Sequence, residues 1–431
     1  MRAAVVALAD LGRTARMCYH ARGLAASGVG VDLVGLEGTP LSGAITGDRR
    51  ITVHRIEPSL LRRRRGLSGA AYSVAALADA IRLSLRLWRR LRRLPPPDLV
   101  VVQNPPQFPA IAVTWLALRR RGVRFVIDWH NLGYTLLQLR LGRWHPAVRL
   151  ARWLERRDAR RADGSLCVSR AMAAFLETRF GVPKAHVFYD RPASAFVPVE
   201  RSAREQFRQA LFARLGLRSG IVGFVVCPTS WTEDEDFDVA IDAVMQLEDR
   251  IRGWEAAGSG RRFPDLVILV TGDGARRAEF ERRFAGLPAR RVQLRTRWLE
   301  PDDYPRVVGS ADVGLCLHRS SSGLDIPMKV ADLFGAGVPV CALDYGACLA
   351  ERVRHGDNGL LFSTARQLAD VLFDLFETFP GEQPLLDRLR AGARRSARPT
   401  WEEGWEREAG PVLLPASSGL VTRRPREAAG P

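Results

Sequence analysis

Short, almost wholly apolar runs recur along this chain with amphipathic stretches between them. In the first half they read AAVVAL, VDLVGL, ITVHRI, DLVVVQN, VRFVIDW, GSLCVS and HVFYD. Runs of this length, rich in Val, Ile and Leu, fit strands buried on both faces, and their alternation with helical stretches predicts parallel sheets covered by helices. The rhythm stops at RPASAFVPVE (residues 191–200), whose prolines suit a linker, then restarts as IVGFVVCP, LVILVTG, RVQLR, DVGLCL, PVCAL and GLLF. The fold class expected is therefore α/β, with two doubly wound domains at residues 1–195 and 196–410. A chain of 431 residues is also long for a single core. Residues 411–431, rich in Pro, Gly, Ser and Arg, are expected to be a disordered tail. Ligands of such sheets sit at the carboxyl ends of the strands, so the cleft between the domains is the expected site.

One stretch stands apart. Residues 61–94 open with Arg62 to Arg65 and continue with Ile81, Leu83, Leu85, Leu87, Trp88, Leu91 and Leu94 interleaved with arginines, ending at Pro95, Pro96 and Pro97. It reads either as an ordinary helix packed on the first sheet with a solvated basic face, or as a helix lying in an anionic membrane interface. The amino terminus reads as a strand rather than a signal peptide, and no apolar run is long enough for a membrane span.

The formal charge of +18 calls for an anionic partner: a nucleotide sugar, a lipid phosphate, a membrane surface or nucleic acid. Arginine supplies almost all of it. The only lysines are Lys184 and Lys329, which makes each conspicuous. The six cysteines are scattered without metal-ligand spacing and read as buried thiols of a reducing compartment.

The richest segment is SSSGLDIPMKVADLFGAGVPV (residues 320–340). A loop of small residues, Ser321, Ser322, Gly323 and Leu324, leads into a helix expected to begin near Pro327, and helix amino termini bind phosphate. Lys329 and Asp332 are three apart and share a helix face, so the ammonium can take a diphosphate while the carboxylate takes ribose hydroxyls; the bland alternative is a surface ion pair. Gly272, Asp273 and Gly274 follow the strand LVILV, either as a nucleotide-bordering loop or as a common turn. Gly12, Arg13 and Arg16 follow the opening strand and are candidates to position phosphate or acceptor. No Gly-x-Gly-x-x-Gly occurs there, which argues against a nicotinamide or flavin enzyme. VIDWHNLGY puts Asp128, His130 and Asn131 at a strand's carboxyl end, making His130 a candidate base or hydroxyl binder. In TSWTEDEDF the acids Glu233 to Asp236 read as a charged helix start or as carboxylates facing a substrate.

These motifs taken together resemble one family. QNPPQFP, WHNLGY, TSWTEDEDF and SSSGLDIPMKVADLFGAGVPV, in this order, are similar to the chitobiosyldiphosphodolichol β-mannosyltransferases, glycosyltransferase family 33. The resemblance implies a GT-B fold and an inverting transfer of mannose from GDP-mannose to a polyprenyl-diphosphate-linked GlcNAc. It implies a guanine pocket at Trp298 and Leu299, an acceptor-facing loop carrying Trp231, and leaving-group stabilisation by Lys329. His130 is the first candidate base, with Glu235 or Asp236 as alternatives. It further implies no essential metal, a cytoplasmic enzyme peripheral on a membrane, and no nucleic-acid partner. The competing readings are another GT-B transferase with a different nucleotide sugar or acceptor, and a non-catalytic basic binding or partner subunit.

Overall fold

The computed structural model describes residues 1–58, 69–106, 110–118, 122–217, 222–258, 262–300 and 302–414. Every expected strand forms. The first sheet contains β1 (Arg2–Asp10), β2 (Gly30–Leu36), β3 (Ile51–Ile56), β4 (Leu99–Asn104), β5 (Arg124–Trp129), β6 (Gly164–Cys167) and β7 (Ala185–Val187) in the order β3-β2-β1-β4-β5-β6-β7, all parallel. The second contains β8 (Val222–Pro228), β9 (Asp265–Thr271), β10 (Val292–Arg297), β11 (Val313–Cys316), β12 (Val340–Leu343) and β13 (Gly359–Phe362) in the order β10-β9-β8-β11-β12-β13, again all parallel. Each sheet is sandwiched between two apolar clusters, which is why its strands are apolar throughout rather than alternating. Strand order reverses between β1 and β4 and between β8 and β11. The loops leaving the neighbouring strands diverge there and leave a crevice.

The chain does not divide in simple sequence order. After the Pro384–Ser396 helix it returns to the first sheet, where Trp401, Trp405, Ala409 and Leu413 are buried against the Ala15–Ala26 helix and its neighbours. Trp405 Nε1 donates to His20 Nδ1 at 3.1 Å, and Trp401 N donates to Pro192 O at 2.8 Å. A capping box of Thr400 and Glu403 starts this return. The expectation of a disordered tail from residue 411 is corrected for 411–414, because the Gly410–Leu413 helix is ordered and Leu413 is fully buried. Residues 415–431 lie outside the described residues, as do 107–109 of QNPPQFP and the run Arg62 to Arg65.

The Gly69–Arg93 helix packs Leu87 and Leu91 into the first core, and Leu94 just beyond it is buried there too, while Ile81, Leu85 and Trp88 remain exposed. Much of its apolar stripe is thus consumed by the sheet. Among the described residues no helix is long and apolar enough to cross a membrane.

Candidate active site

On the first domain the site is built at the end of β5. Asp128 is fully buried and accepts from Arg16 Nε and Nη2 at 2.8 and 2.9 Å, with the Nε2 atoms of His130 and His20 at 2.8 and 3.2 Å. Burial alone would raise the Asp128 pKa, but Arg16, His130 and His20 outweigh it and hold the carboxyl well below its usual range. An ionised carboxylate only accepts, so His130 carries a proton on Nε2, and Nδ1 is the ring nitrogen left to face other groups. His130 is partly exposed, with 22% of its side chain accessible. Histidine fixed by a buried carboxylate is the arrangement of a general base.

Arg16 takes a different place from the one expected. It is 1% exposed and donates also to Asp190 Oδ1 at 2.8 Å and Phe188 O at 3.0 Å, so its guanidinium is committed to internal acceptors rather than to a phosphate. Arg13 does reach the cleft. Its Nη1 donates to Asp273 O at 3.1 Å and its guanidinium lies 5.4 Å from the Trp298 ring centre, so it bridges the two domains. Trp298 is not a core tryptophan, being 37% exposed beside the Arg13 guanidinium, whereas Leu299 packs at the edge of the second domain's core. Gly12 is required by packing, since a Cβ there would sit 2.4 Å from Thr39 O.

On the second domain Lys329 emerges from the first turn of the Met328–Gly335 helix, two residues past its cap Pro327. Lys329 does not stand open to the cleft: its Nζ lies 2.5 Å from Glu235 Oε1 and its side chain is 15% exposed. Burial lowers the Lys329 pKa, but Glu235 outweighs it and keeps the ammonium charged; reciprocally, burial raises and Lys329 lowers the Glu235 carboxyl, which ends below its ordinary value. Glu235 also accepts from Thr229 Oγ1 and from the backbone of Ser230 and Thr232. A carboxylate so saturated is a counter-ion and loop anchor rather than a proton acceptor. Asp236 caps the Phe237–Ala256 helix by accepting from Val239 N. Trp231 is not available to an acceptor: it is 1% exposed and stacks on Phe237 at 4.6 Å.

Asp332 is buried, accepts from the Tyr304 hydroxyl at 3.3 Å, and is pushed up to about 7 first by burial and then by Asp190. Gly272 and Gly274 press against the neighbouring loop, where added Cβ atoms would lie 2.0 Å from Thr229 O and 2.5 Å from Ser230 O. Their absence of a side chain serves loop packing. In the 320–324 loop, Gly323 N donates to Ser320 Oγ and Leu324 N to Ser322 Oγ, so these two amides are engaged within the loop. The same loop crosses to the first domain. Asn131 Nδ2 donates to Ser321 Oγ at 3.2 Å, Thr135 Oγ1 lies 2.8 Å from Ser321 Oγ, and Ser169 Oγ donates to Leu324 O at 2.5 Å.

Sequence reasoning missed His318. It is buried between Asp325 (Nε2 to Oδ2, 2.9 Å) and Asp234 (Nδ1 to Oδ2, 3.3 Å). Burial lowers its pKa, yet the two carboxylates raise it to about 10. His318 is therefore an imidazolium clamping the 320–325 loop to the 229–236 loop. A histidine at the carboxyl end of an expected strand was the signal, the same criterion that singled out His130.

Residues 12–190 match the family described as Glycosyl transferase 4-like domain, and residues 224–378 match Glycosyl transferases group 1. Among solved structures, WaaG, a glycosyltransferase involved in lipopolysaccharide biosynthesis, aligns with a TM-score of 0.64 at 15% identity over 96% of this chain and 100% of its own. Anabaena HepE, solved with UDP-glucose, aligns with a TM-score of 0.65 at 17% identity over 96% and 99%. Two facing parallel-sheet domains with a cation and a carboxylate-held histidine across the cleft make this chain a GT-B glycosyltransferase. Chitobiosyldiphosphodolichol beta-mannosyltransferases are similar along nearly its whole length: 36% identity for the Mus musculus protein, covering 99% of this chain and 91% of that one, and 35% for the Homo sapiens protein, covering 95% and 92%. The chain belongs to the chitobiosyldiphosphodolichol β-mannosyltransferase family. The UDP-glycosyltransferase TURAN of Arabidopsis thaliana is 38% identical over 97% of this chain and 98% of its own.

Proposed function

We propose that this enzyme transfers mannose from GDP-mannose to the terminal N-acetylglucosamine of a chitobiosyl-diphosphate-polyprenol, forming a β-1,4 bond. The observation that carries this reading is the likeness, across both domains, to proteins named for that reaction. A β product from an α-linked donor requires one inverting displacement. His130 Nδ1 takes the proton of the acceptor hydroxyl, whose oxygen bonds to the anomeric carbon as the bond to the diphosphate breaks. Asp128 holds the ring and stabilises the imidazolium that forms. Lys329, already charged beside Glu235, receives the departing diphosphate. This cation at a helix amino terminus, rather than a bound metal, neutralises the leaving group in this reading. Asp332 addresses the ribose, and Arg13 with Trp298 closes the nucleotide end of the cleft. The lipid of the acceptor puts the enzyme on a membrane surface, and a nucleotide-sugar donor with six unpaired cysteines suits the cytoplasmic side.

A second reading keeps the fold and changes the donor, favoured by the name of the Arabidopsis relative. Incubating the purified protein with GDP-mannose, UDP-glucose or UDP-N-acetylglucosamine and chitobiosyl-diphosphate-polyprenol separates the two. A β-mannoside formed only from GDP-mannose is expected; product from a UDP-sugar alone overturns the proposal.

A further inference from the structure

The hairpin of the Gly133–Leu141 and Pro146–Ala159 helices carries a surface that the transfer reaction does not use. Leu139, Leu141, Trp144, Leu150 and Trp153 are exposed, Trp144 by 76% and Trp153 by 57%. Around them Arg140, Arg143, Arg149, Arg152 and Arg156 face solvent, while the only two acids of this stretch, Glu155 and Asp158, are turned inward and buried. A monomer surface rarely leaves tryptophans and leucines together in water without a partner. An apolar patch rimmed mostly by arginine, with only Arg140 paired to an exposed acid, Glu233, is complementary to a surface that is apolar beneath and anionic on top.

We infer that this hairpin is a docking surface for an anionic lipid membrane. Tryptophan at the level of the headgroups, leucine below it and arginine on the phosphates is the composition of a helix seated in the interface. Its position suits the acceptor. Arg140 pairs with Glu233 of the second domain at 3.1 Å, and Thr135, about 7.5 Å back along the helix axis, reaches Ser321 in the cleft. A bilayer under the hairpin therefore lies beside the mouth of the site, where a lipid-linked sugar can enter while its polyprenyl chain stays in the membrane. This last point rests on the lipid-linked acceptor proposed above; the docking itself does not. The hairpin, rather than residues 61–94, becomes the main contact, since it exposes Leu139, Leu141, Trp144, Leu150 and Trp153, whereas the Gly69–Arg93 helix has placed Leu87 and Leu91 in the core and leaves Ile81, Leu85 and Trp88 exposed.

The test is co-sedimentation of the full chain with vesicles of phosphatidylcholine alone or containing about one third phosphatidylglycerol, at low and high salt. Wild type should bind the anionic vesicles and release in high salt. Replacing Arg143, Arg149, Arg152 and Arg156 by Gln should reduce partitioning at least tenfold, since each arginine near an anionic surface contributes up to roughly fivefold. Trp144→Ala, Leu150→Ser and Trp153→Ala together should do the same, and both variants should melt as wild type and act normally on a water-soluble acceptor. A variant with Arg89, Arg90, Arg92 and Arg93 changed to Gln should retain most binding. Wild type that ignores anionic vesicles, or hairpin variants that bind as wild type, overturns the inference; so does a vesicle-free dimer that these substitutions dissociate. Binding without any mannosyl product would sink the assigned reaction and leave the docking surface standing.

Discussion

Lys329 and Glu235, 94 positions apart, form one buried ion pair, with Nζ 2.5 Å from Oε1, on the floor of the interdomain cleft. Glu235 keeps the Lys329 ammonium protonated, and the pair ties the helix that carries Lys329 to the loop after β8. Removing either partner leaves the other buried and uncompensated.

Lys329→Ala is therefore expected to fail twice. Turnover should fall about 10²- to 10³-fold through loss of leaving-group stabilisation. The stranded Glu235 should also cost about 3–5 kcal/mol of stability. Pairing Lys329→Met with Glu235→Gln should restore the urea midpoint without restoring turnover. If the double variant is active, Lys329 is structural only.

His130→Ala should lower kcat by about 10²- to 10⁴-fold with little change in the KM for the donor, because the ring acts on the acceptor hydroxyl. Asp128→Asn should lower kcat as well, since the amide can no longer fix the Nε2–H tautomer. Steady-state kinetics with varied donor decide this; near-normal turnover of His130→Ala excludes it as the base.

Above the ordinary carboxylate range stability should decline toward alkaline pH, while below it the depressed carboxyls Asp128 and Glu235 make stability fall with acid. His318 is raised to about 10 from an ordinary 6.5, so its contribution is complete below about 6.5 and is lost as pH rises through 10. Asp332, raised to about 7 from 3.8, acts in the same direction: its burial is tolerated while protonated, and stability falls as pH rises from 3.8 to about 7 and levels off above that. Urea midpoints should flatten between about 6.5 and 10 in His318→Gln and below neutrality in Asp332→Asn. A wild-type midpoint that rises with pH above the carboxylate range contradicts both assignments.

Trp405→Ala should destabilise the first domain by about 3–5 kcal/mol, although the residue follows the second domain in sequence. Its indole fills the space beside Gly23 and bonds His20. Thermal melting checks this, and a chain stopped before Thr400 should lose soluble yield.

A chelator should leave transfer unaffected if Lys329 alone neutralises the diphosphate. Activity lost to EDTA and restored by a divalent ion would refute that part of the mechanism.

All thirteen strands and both sheets were legible in the sequence, because a strand buried on both faces must be apolar along its whole length and announces itself locally. The helix start at Pro327 and the strand-end position of His130 were legible for the same reason. Pairing was not. Whether Arg16 meets a phosphate or Asp128, whether Glu235 takes a proton or holds Lys329, and whether His318 is neutral or clamped between Asp234 and Asp325 depend on groups brought together from distant positions. A charge is stabilised by whatever lies within a few ångströms of it in space, and no local pattern encodes that distance. The return of Trp401 and Trp405 to the first domain is of the same kind. Sequence determined which residues could be buried or charged; only the tertiary structure decided which of them face one another, because the desolvation that gives each contact its strength exists only once the chain has closed around it.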